Sequence, residues 1–256
     1  MTLSGRVALV TGGSRGIGRG ISTALAAEGA AIAVNYRASK SSADEVVEAI
    51  TAAGGKAFAV GGDVAEFDQA EAVVAETIEQ LGGLDILVNN AGIAKDALIY
   101  NMDPQDWLDV MRVNFGGVFN CTKAAMGHFM AQREGSIVNI SSVMGQRGWM
   151  GESNYSASKG AVNAFTRCCA MELVRFGVRV NAVLPGFVPT EMVEGLTGKD
   201  GGKGVLKQIP MRAFGEVEDV AQLVVFLASP QSKYVTGALL PVDGGASAVL
   251  GTGAPL

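Results

Sequence analysis

Short runs of Val, Ile, Leu and Ala recur along the chain, separated by longer stretches with helical periodicity. The runs are Arg6–Val10, Ala31–Tyr36, Lys56–Val60, Ile86–Asn89, Ser136–Ile140, Val178–Val183 and Leu239–Val242. They are nearly continuous in apolar residues instead of alternating, the pattern of strands covered on both faces. Seven such strands alternating with helices predict an α/β fold, a doubly wound parallel sheet flanked by helices and joined by right-handed crossovers. The stretch ADEVVEAITAAGG after Ser41 or Ser42 has acids in its first turn and glycine past its end, as a helix does.

No repeat, linker or charge block divides the chain, so residues 1–256 are expected to form one domain. One segment breaks the alternation. Gly186–Arg212 is glycine-rich and irregular in its second half, and is either a surface loop or a lid over the substrate. Its apolar residues Val188, Met192, Val193, Leu196, Leu206 and Ile209 suit closure over a greasy substrate, and a lid at 187–212 is the expectation.

Composition narrows the function. A chain that is 48% hydrophobic and 18% charged has ample material for a sheet buried on both faces. A formal charge of -5 without a Lys/Arg cluster argues against nucleic-acid binding, which depends on neutralising phosphates. No apolar stretch is long enough for a bilayer span and no leader pattern opens the sequence, so a cytoplasmic location is expected. Cys121, Cys168 and Cys169 lack CxxC spacing and His128 is the lone histidine, which points away from disulfides and zinc and toward structural roles.

The chemistry begins at Thr11-Gly12-Gly13-Ser14-Arg15-Gly16-Ile17-Gly18, between the first strand and a helix. Glycines there permit a tight turn and close approach of a ligand, and the N–H groups at the helix start can hold a pyrophosphate. The second strand ends Asn35-Tyr36-Arg37, without the carboxylate that bonds a free ribose hydroxyl and repels a 2′-phosphate. Arg37, with Arg15 and Lys40, can instead embrace that phosphate, so NADP(H) is the expected cofactor. Further on, Tyr155 and Lys159 are four apart and share a helix face. A nearby ammonium is expected to lower the phenol pKa from its ordinary value of about 10 and fit Tyr155 for proton transfer to a carbonyl oxygen.

Thr11–Gly18 resembles the TGxxxGxG signature of the short-chain dehydrogenase/reductase family, and later motifs extend the resemblance over essentially the whole chain. It implies a single Rossmann-type domain. It also implies that Asp63 and Val64 meet the adenine, and that Asn90, Ala91 and Gly92, in the NNAG motif, line the cofactor site. Pro185, Gly186, Val188 and Thr190 would meet the nicotinamide. The family spacing selects Ser142 over Ser141 as the serine that holds the substrate oxygen. Asn114 completes the tetrad, carrying a water of a proton relay on its main chain.

Within the family the sequence looks most like the 3-oxoacyl-[acyl-carrier-protein] reductases and the acetoacetyl-CoA reductases beside them. A reductase of some other ketone or secondary alcohol is the second reading, and a nonenzymatic NADPH-binding sensor the remote third. Of two basic residues that meet the acidic carrier protein near the active-site mouth in such reductases, Arg133 matches the first, Phe176 stands at the second, and Arg175 is its neighbour. Met144, Gln146, Trp149, Met150 and Met192 either border an apolar substrate pocket or are ordinary core. Relatives of this fold form tetramers, and Ala161, Ala164, Phe165, Cys168 and Cys169 fit a buried homotetramer surface.

Overall fold

In the computed structural model of the protein, which describes residues 1–190 and 202–248, the seven apolar runs form one parallel sheet. The strands are β1 (Val7–Val10), β2 (Ala31–Tyr36), β3 (Ala57–Gly61), β4 (Ile86–Asn89), β5 (Gly135–Ile140), β6 (Val178–Pro185) and β7 (Leu239–Val242). Their order is β3-β2-β1-β4-β5-β6-β7, with every neighbouring pair parallel. The chain winds outward from β1 to β3, then returns to start the second half at β4. Such a switch point leaves a crevice at the carboxyl ends of the strands, where this fold class binds its ligands.

The apolar character of each strand is explained by its position. Every residue of β1, β4 and β5 is buried, whereas the edge strands β3 and β7 are only partly covered. Along β1, Ala8 and Val10 face one layer and Leu9 the other, because successive side chains of a strand point to opposite faces. The first layer holds α1 (Gly16–Ala27), α2 (Lys40–Ala52) and α7 (Val217–Ala228), through residues such as Ile21, Leu25, Val46 and Val224. The second holds α3 (Phe67–Leu81), α5 (Gly117–Gln132) and α6 (Ser153–Leu173), through Val73, Phe129 and Leu173. Each fully buried Leu, Ile or Phe in these layers contributes about 1.5–3 kcal/mol.

Strand boundaries differ from the sequence expectation by a residue or two, for identifiable reasons. The Arg6 guanidinium reaches Asp85 at 2.8 Å and Glu134 at 2.6 Å, clamping the chain ahead of β1, β4 and β5 before the ladder begins at Val7. Strand β6 runs on to Pro185, which pairs with Val242. Helix α2 begins at Lys40 behind Ser39, not after Ser41 or Ser42. An ion pair of Lys40 with Asp44 one turn later, at 2.8 Å, holds the lysine in the first turn.

Two features outside the layers position the site. Between α4 (Pro104–Met111) and α5, Arg112–Gly116 forms a π-helical turn, an irregularity common at functional sites. Beyond the end of β6 a third apolar cluster gathers Met144, Leu184, Phe187, Val205 and Ile209, with Trp149, Tyr155, Leu206 and Phe214 packed on it. Both described ends of the expected lid therefore pack beside Tyr155. Residues 191–201, with Met192, Val193 and Leu196, lie outside the described residues.

Candidate active site

The crevice opens as a cleft of about 530 Å³. Its floor is the glycine loop, where Gly12 has a φ of +59°, a conformation that favours glycine, and a Cβ on Gly18 would collide with the Gly12 carbonyl oxygen. Two buried polar residues fix this loop. Thr11 Oγ1 accepts from the N–H groups of Asn90 and Ala91 at 2.9 and 3.1 Å, tying β1 to β4. Asn35 Oδ1 accepts from Gly12 N–H at 3.3 Å, while its Nδ2 donates to Val60 and Gly62 carbonyls at 3.3 and 3.2 Å. Asn90 lines the cleft, but its amide donates to the Thr11 and Gly12 carbonyls at 3.0 and 3.1 Å.

With one exception, the residues expected to meet the cofactor line this one cleft: Gly12, Ser14, Arg15, Gly16, Ile17 and Gly18 from the loop, and Tyr36 and Arg37 at the end of β2. Asp63 and Val64 after β3 join them, as do Asn90, Ala91 and Gly92 after β4 and Pro185, Gly186, Val188 and Thr190 after β6. The cradle and its donors fit a dinucleotide: turned backbone at a helix start for the pyrophosphate, guanidinium groups and no carboxylate at the end of β2. Lys40 does not join Arg15 and Arg37. It is absent from the lining, and its ammonium is held by Asp44.

Ser142, Tyr155 and Lys159 also line the cleft. Ser142 follows β5 in extended conformation, accepts from Met144 N–H at 3.1 Å and stands close enough to the Tyr155 hydroxyl to favour its ionised form. Ser141 is occupied elsewhere, its hydroxyl donating to the Lys159 carbonyl at 3.1 Å, which leaves Ser142 as the serine beside the phenol. Lys159 Nζ lies 5.5 Å from the Tyr155 ring centroid and donates to the Ile140 carbonyl at 2.9 Å. Asn114 is fully buried behind the cleft. Its Oδ1 accepts from Ile93 N–H at 2.8 Å, and its Nδ2 donates to Ile93 O at 3.0 Å and Ser158 Oγ at 3.1 Å. That side chain is committed to holding the π-helical turn against β4 and α6.

The electrostatics correct one expectation. The Tyr155 phenol is not lowered; burial pushes it up to about 12, against the pull of the Ser142 hydroxyl and with a further push from the Glu152 and Asp96 carboxyls. Burial also lowers the Lys159 ammonium to about 8. Removing both groups from water disfavours each charged form more than their proximity stabilises it. At neutral pH the phenol is therefore a proton donor and the lysine still largely a cation.

Other expectations divide. Met144 is 6% exposed within the third apolar cluster, and neither it nor Gln146 lines the cleft. Trp149 packs edge-on against Phe187 at 5.3 Å between ring centroids, while Met150 is exposed. His128 Nε2 accepts from Leu84 N–H at 3.1 Å, a structural role. Burial raises the Cys121 thiol to about 12, which makes it unreactive. Arg133 donates to the Arg175 carbonyl at 2.9 Å, and Arg175 stacks on Phe176 at 4.7 Å, so both cations share one corner. That corner precedes β5 and β6, whereas the cleft lies beyond their carboxyl ends, roughly 20 Å away along six residues of strand. It is not at the mouth of this subunit's own cleft.

Comparison with known proteins agrees with this geometry. Residues 12–247 match the family described as enoyl-(acyl carrier protein) reductase. Among curated proteins, the 3-oxoacyl-[acyl-carrier-protein] reductase FabG of Staphylococcus aureus is 47% identical over 93% of this chain and 96% of its own. The 3-oxoacyl-[acyl-carrier-protein] reductase of Synechocystis is 45% identical over 95% and 97%. Among solved structures, a gluconate 5-dehydrogenase from Burkholderia cenocepacia, in complex with NADP and tartrate, superposes with a TM-score of 0.93 at 36% identity, covering 97% of each chain. A dehydrogenase/reductase from Sinorhizobium meliloti gives 0.90 at 41% identity, covering 96% of each. Matched by the family model over residues 12–247 and by these relatives over nearly their full length, the chain belongs to the short-chain dehydrogenase/reductase family.

Proposed function

We propose that the protein reduces the keto group of a 3-oxoacyl thioester on acyl carrier protein to the 3-hydroxyacyl thioester, with NADPH as reductant. The observation that carries this reading is the convergence of Ser142 and the protonated Tyr155 phenol at the end of β5, beside a dinucleotide cradle that ends in Arg37. When bound, NADPH supplies the hydride to the carbonyl carbon. Ser142 and Tyr155 receive the carbonyl oxygen with two hydroxyl donors, and Tyr155 gives it a proton as negative charge develops. Lys159 holds a positive charge below the phenol and compensates the tyrosinate left behind. Asn114, its side chain fully bonded, offers its main chain to a water that returns a proton toward Lys159.

Two hydroxyls converging on one oxygen suit a ketone, which supports keto over enoyl reduction. The curated relatives named as 3-oxoacyl-[acyl-carrier-protein] reductases support the same substrate. A second reading, reduction of 3-oxobutanoyl-CoA or another ketone, is favoured by Phe176 at one of the two expected docking positions and by the distance of Arg133 from the cleft. Carrier docking at Arg133 then requires the cleft of a neighbouring subunit. A homotetramer supplies one, and the apolar surface left open at Phe119, Met171 and Val174, on and just past α5 and α6, supports such an assembly. Ala164 and Cys168 are exposed on α6 and fit it, whereas Cys169 belongs to the core. The segment 187–212 acts as the lid in this reading, and the cytoplasm is the compartment in which it works.

The experiment follows NADPH absorbance with 3-oxoacyl thioesters on carrier protein and on CoA, beside simple ketones, with Tyr155→Phe as control. Turnover strongest on the carrier thioester and lost in Tyr155→Phe is the expected result. Preference for a free ketone would overturn the thioester assignment, and turnover surviving in Tyr155→Phe would overturn the mechanism.

A further inference from the structure

Two carboxyl groups, those of Glu152 and Asp96, act on the catalytic Tyr155 hydroxyl. Glu152 is the residue immediately preceding α6, three ahead of Tyr155 in the chain. It is 9% exposed, and its Oε2 is buried without a hydrogen-bond partner. Asp96 lies on the segment after β4, which two hydrogen bonds clip to the start of α6: Ala97 N–H to the Gly151 carbonyl at 2.9 Å and Asn154 Nδ2 to the Lys95 carbonyl at 2.8 Å. The carboxyls act on each other and on the Tyr155 hydroxyl.

The nearby cations are engaged elsewhere. Lys95 turns to Asp106 and Asp109 of α4, at 2.6 and 2.9 Å, and Lys159 donates to the Ile140 carbonyl. Among the described residues neither Asp96 nor Glu152 has an ion-pair partner. A buried carboxyl oxygen with no partner destabilises the fold, and a neutral residue of similar size would avoid that cost. Its presence three residues from the proton donor needs a functional reason.

We propose that Glu152, backed by Asp96, is a specificity-determining anion filter: it repels substrates with a free carboxylate near the keto group and admits those whose carboxyl is masked as an ester or thioester. This rests on the ketone-reductase reading above. In a free 3-oxo acid the negative charge is two carbons from the carbonyl that Ser142 and Tyr155 receive. In a thioester that charge is gone. Burial and the Asp96 charge together hold the Glu152 carboxyl up to about 7, so the filter is charged above neutrality and discharged below it. Of the titratable groups around Glu152 and Tyr155, Asp96 acts on both, and Lys159 Nζ lies against the Tyr155 ring.

The test measures kcat/KM with NADPH for methyl 3-oxobutanoate and for 3-oxobutanoate, which stays anionic throughout, on either side of neutrality. The ester-to-acid ratio should be higher above neutrality than below it, by roughly tenfold. In Glu152→Gln the ratio should drop to the low-pH value and lose its pH dependence, Asp96→Asn should lower it less, and Glu152→Asp should restore it. A pH-independent ratio in the unaltered protein, or the same ratio in Glu152→Gln, would overturn the proposal. Calorimetric binding of both compounds to the NADP⁺-loaded protein gives the ratio without turnover. If neither compound is reduced, the carrier-thioester assay above still decides the reaction reading, and the binding ratio decides on the filter.

Discussion

Lys159 Nζ lies one helical turn from Tyr155, 5.5 Å from its ring centroid, and donates to the Ile140 carbonyl at 2.9 Å. The lysine is thereby fixed between the end of β5 and the phenol, in a place where burial weakens its hold on a proton. That combination of fixed position and lowered basicity governs both turnover and stability.

Turnover should follow the charge on Lys159. With the phenol at about 12 and the ammonium at about 8, reduction of a neutral ketone needs both groups protonated. A profile of kcat/KM against pH should be level below about 8 and fall above it, by about tenfold per unit. If the rate held level well beyond that point, Lys159 would be keeping its charge and the burial argument would fail.

Stability should move the opposite way when the lysine is removed. Its folded pKa is lowered from 10.5 to about 8, so between those values the unfolded chain binds a proton that the fold does not. The penalty is complete below about 8 and fades as pH rises toward 10.5. At 1.36 kcal/mol per unit it is about 3 kcal/mol, from which about 1 kcal/mol is subtracted for the lost bond to Ile140. Lys159→Met should therefore be inactive yet about 2 kcal/mol more stable in urea at neutral pH, with the gain shrinking in alkali. A variant less stable at neutral pH would show that the ammonium is held by more than one carbonyl.

These groups differ in how legible they were. The strands were readable because a parallel sheet buried on both faces leaves continuous apolar runs, and the cleft because glycine, arginine and tyrosine have distinctive chemistry at set spacings. Ser142 was separable from Ser141 only by resemblance, and the structure supplies the physical reason in the bond from Ser141 to the Lys159 carbonyl. The direction of the Tyr155 shift was not readable, since it depends on burial by elements distant in sequence. Lys40 reads as a phosphate ligand in the sequence, but Asp44, one turn along the same helix, takes its charge. Glu152 and Asp96 are far apart in sequence and meet only when the segment after β4 folds over α6.

Cofactor choice should reside in Arg37. It lines the cleft at the end of β2, where no carboxylate stands to bond a ribose hydroxyl. Arg37→Asp removes a charge-assisted contact to the 2′-phosphate and adds a repulsive charge. Fluorescence titration should show NADPH binding weakened by about 10–100-fold, with NADH binding equal or better. Equal weakening of both cofactors would mean that the substitution disturbs the loop instead of the phosphate site.

Asn35 offers a test of the scaffold beneath that site. An asparagine within the apolar run Ala31–Tyr36 is 2% exposed, and such a residue is tolerable only when its polar atoms are bonded. Here Oδ1 takes the Gly12 N–H, Nδ2 serves the Val60 and Gly62 carbonyls, and the main-chain carbonyl takes the Gly13 N–H at 2.9 Å. Asn35→Leu keeps the branching but takes that partner from the Gly12 N–H and removes the bonds to the Val60 and Gly62 carbonyls, at a cost of about 2 kcal/mol or more. The glycine loop then loses its fixed curvature, so NADPH affinity should fall together with the melting temperature. Saturating NADPH should recover part of the lost stability, because the ligand binds only the folded chain. A variant that melts early yet binds NADPH with unchanged affinity would mean that β4, through Thr11 and Asn90, holds the loop without help from β2.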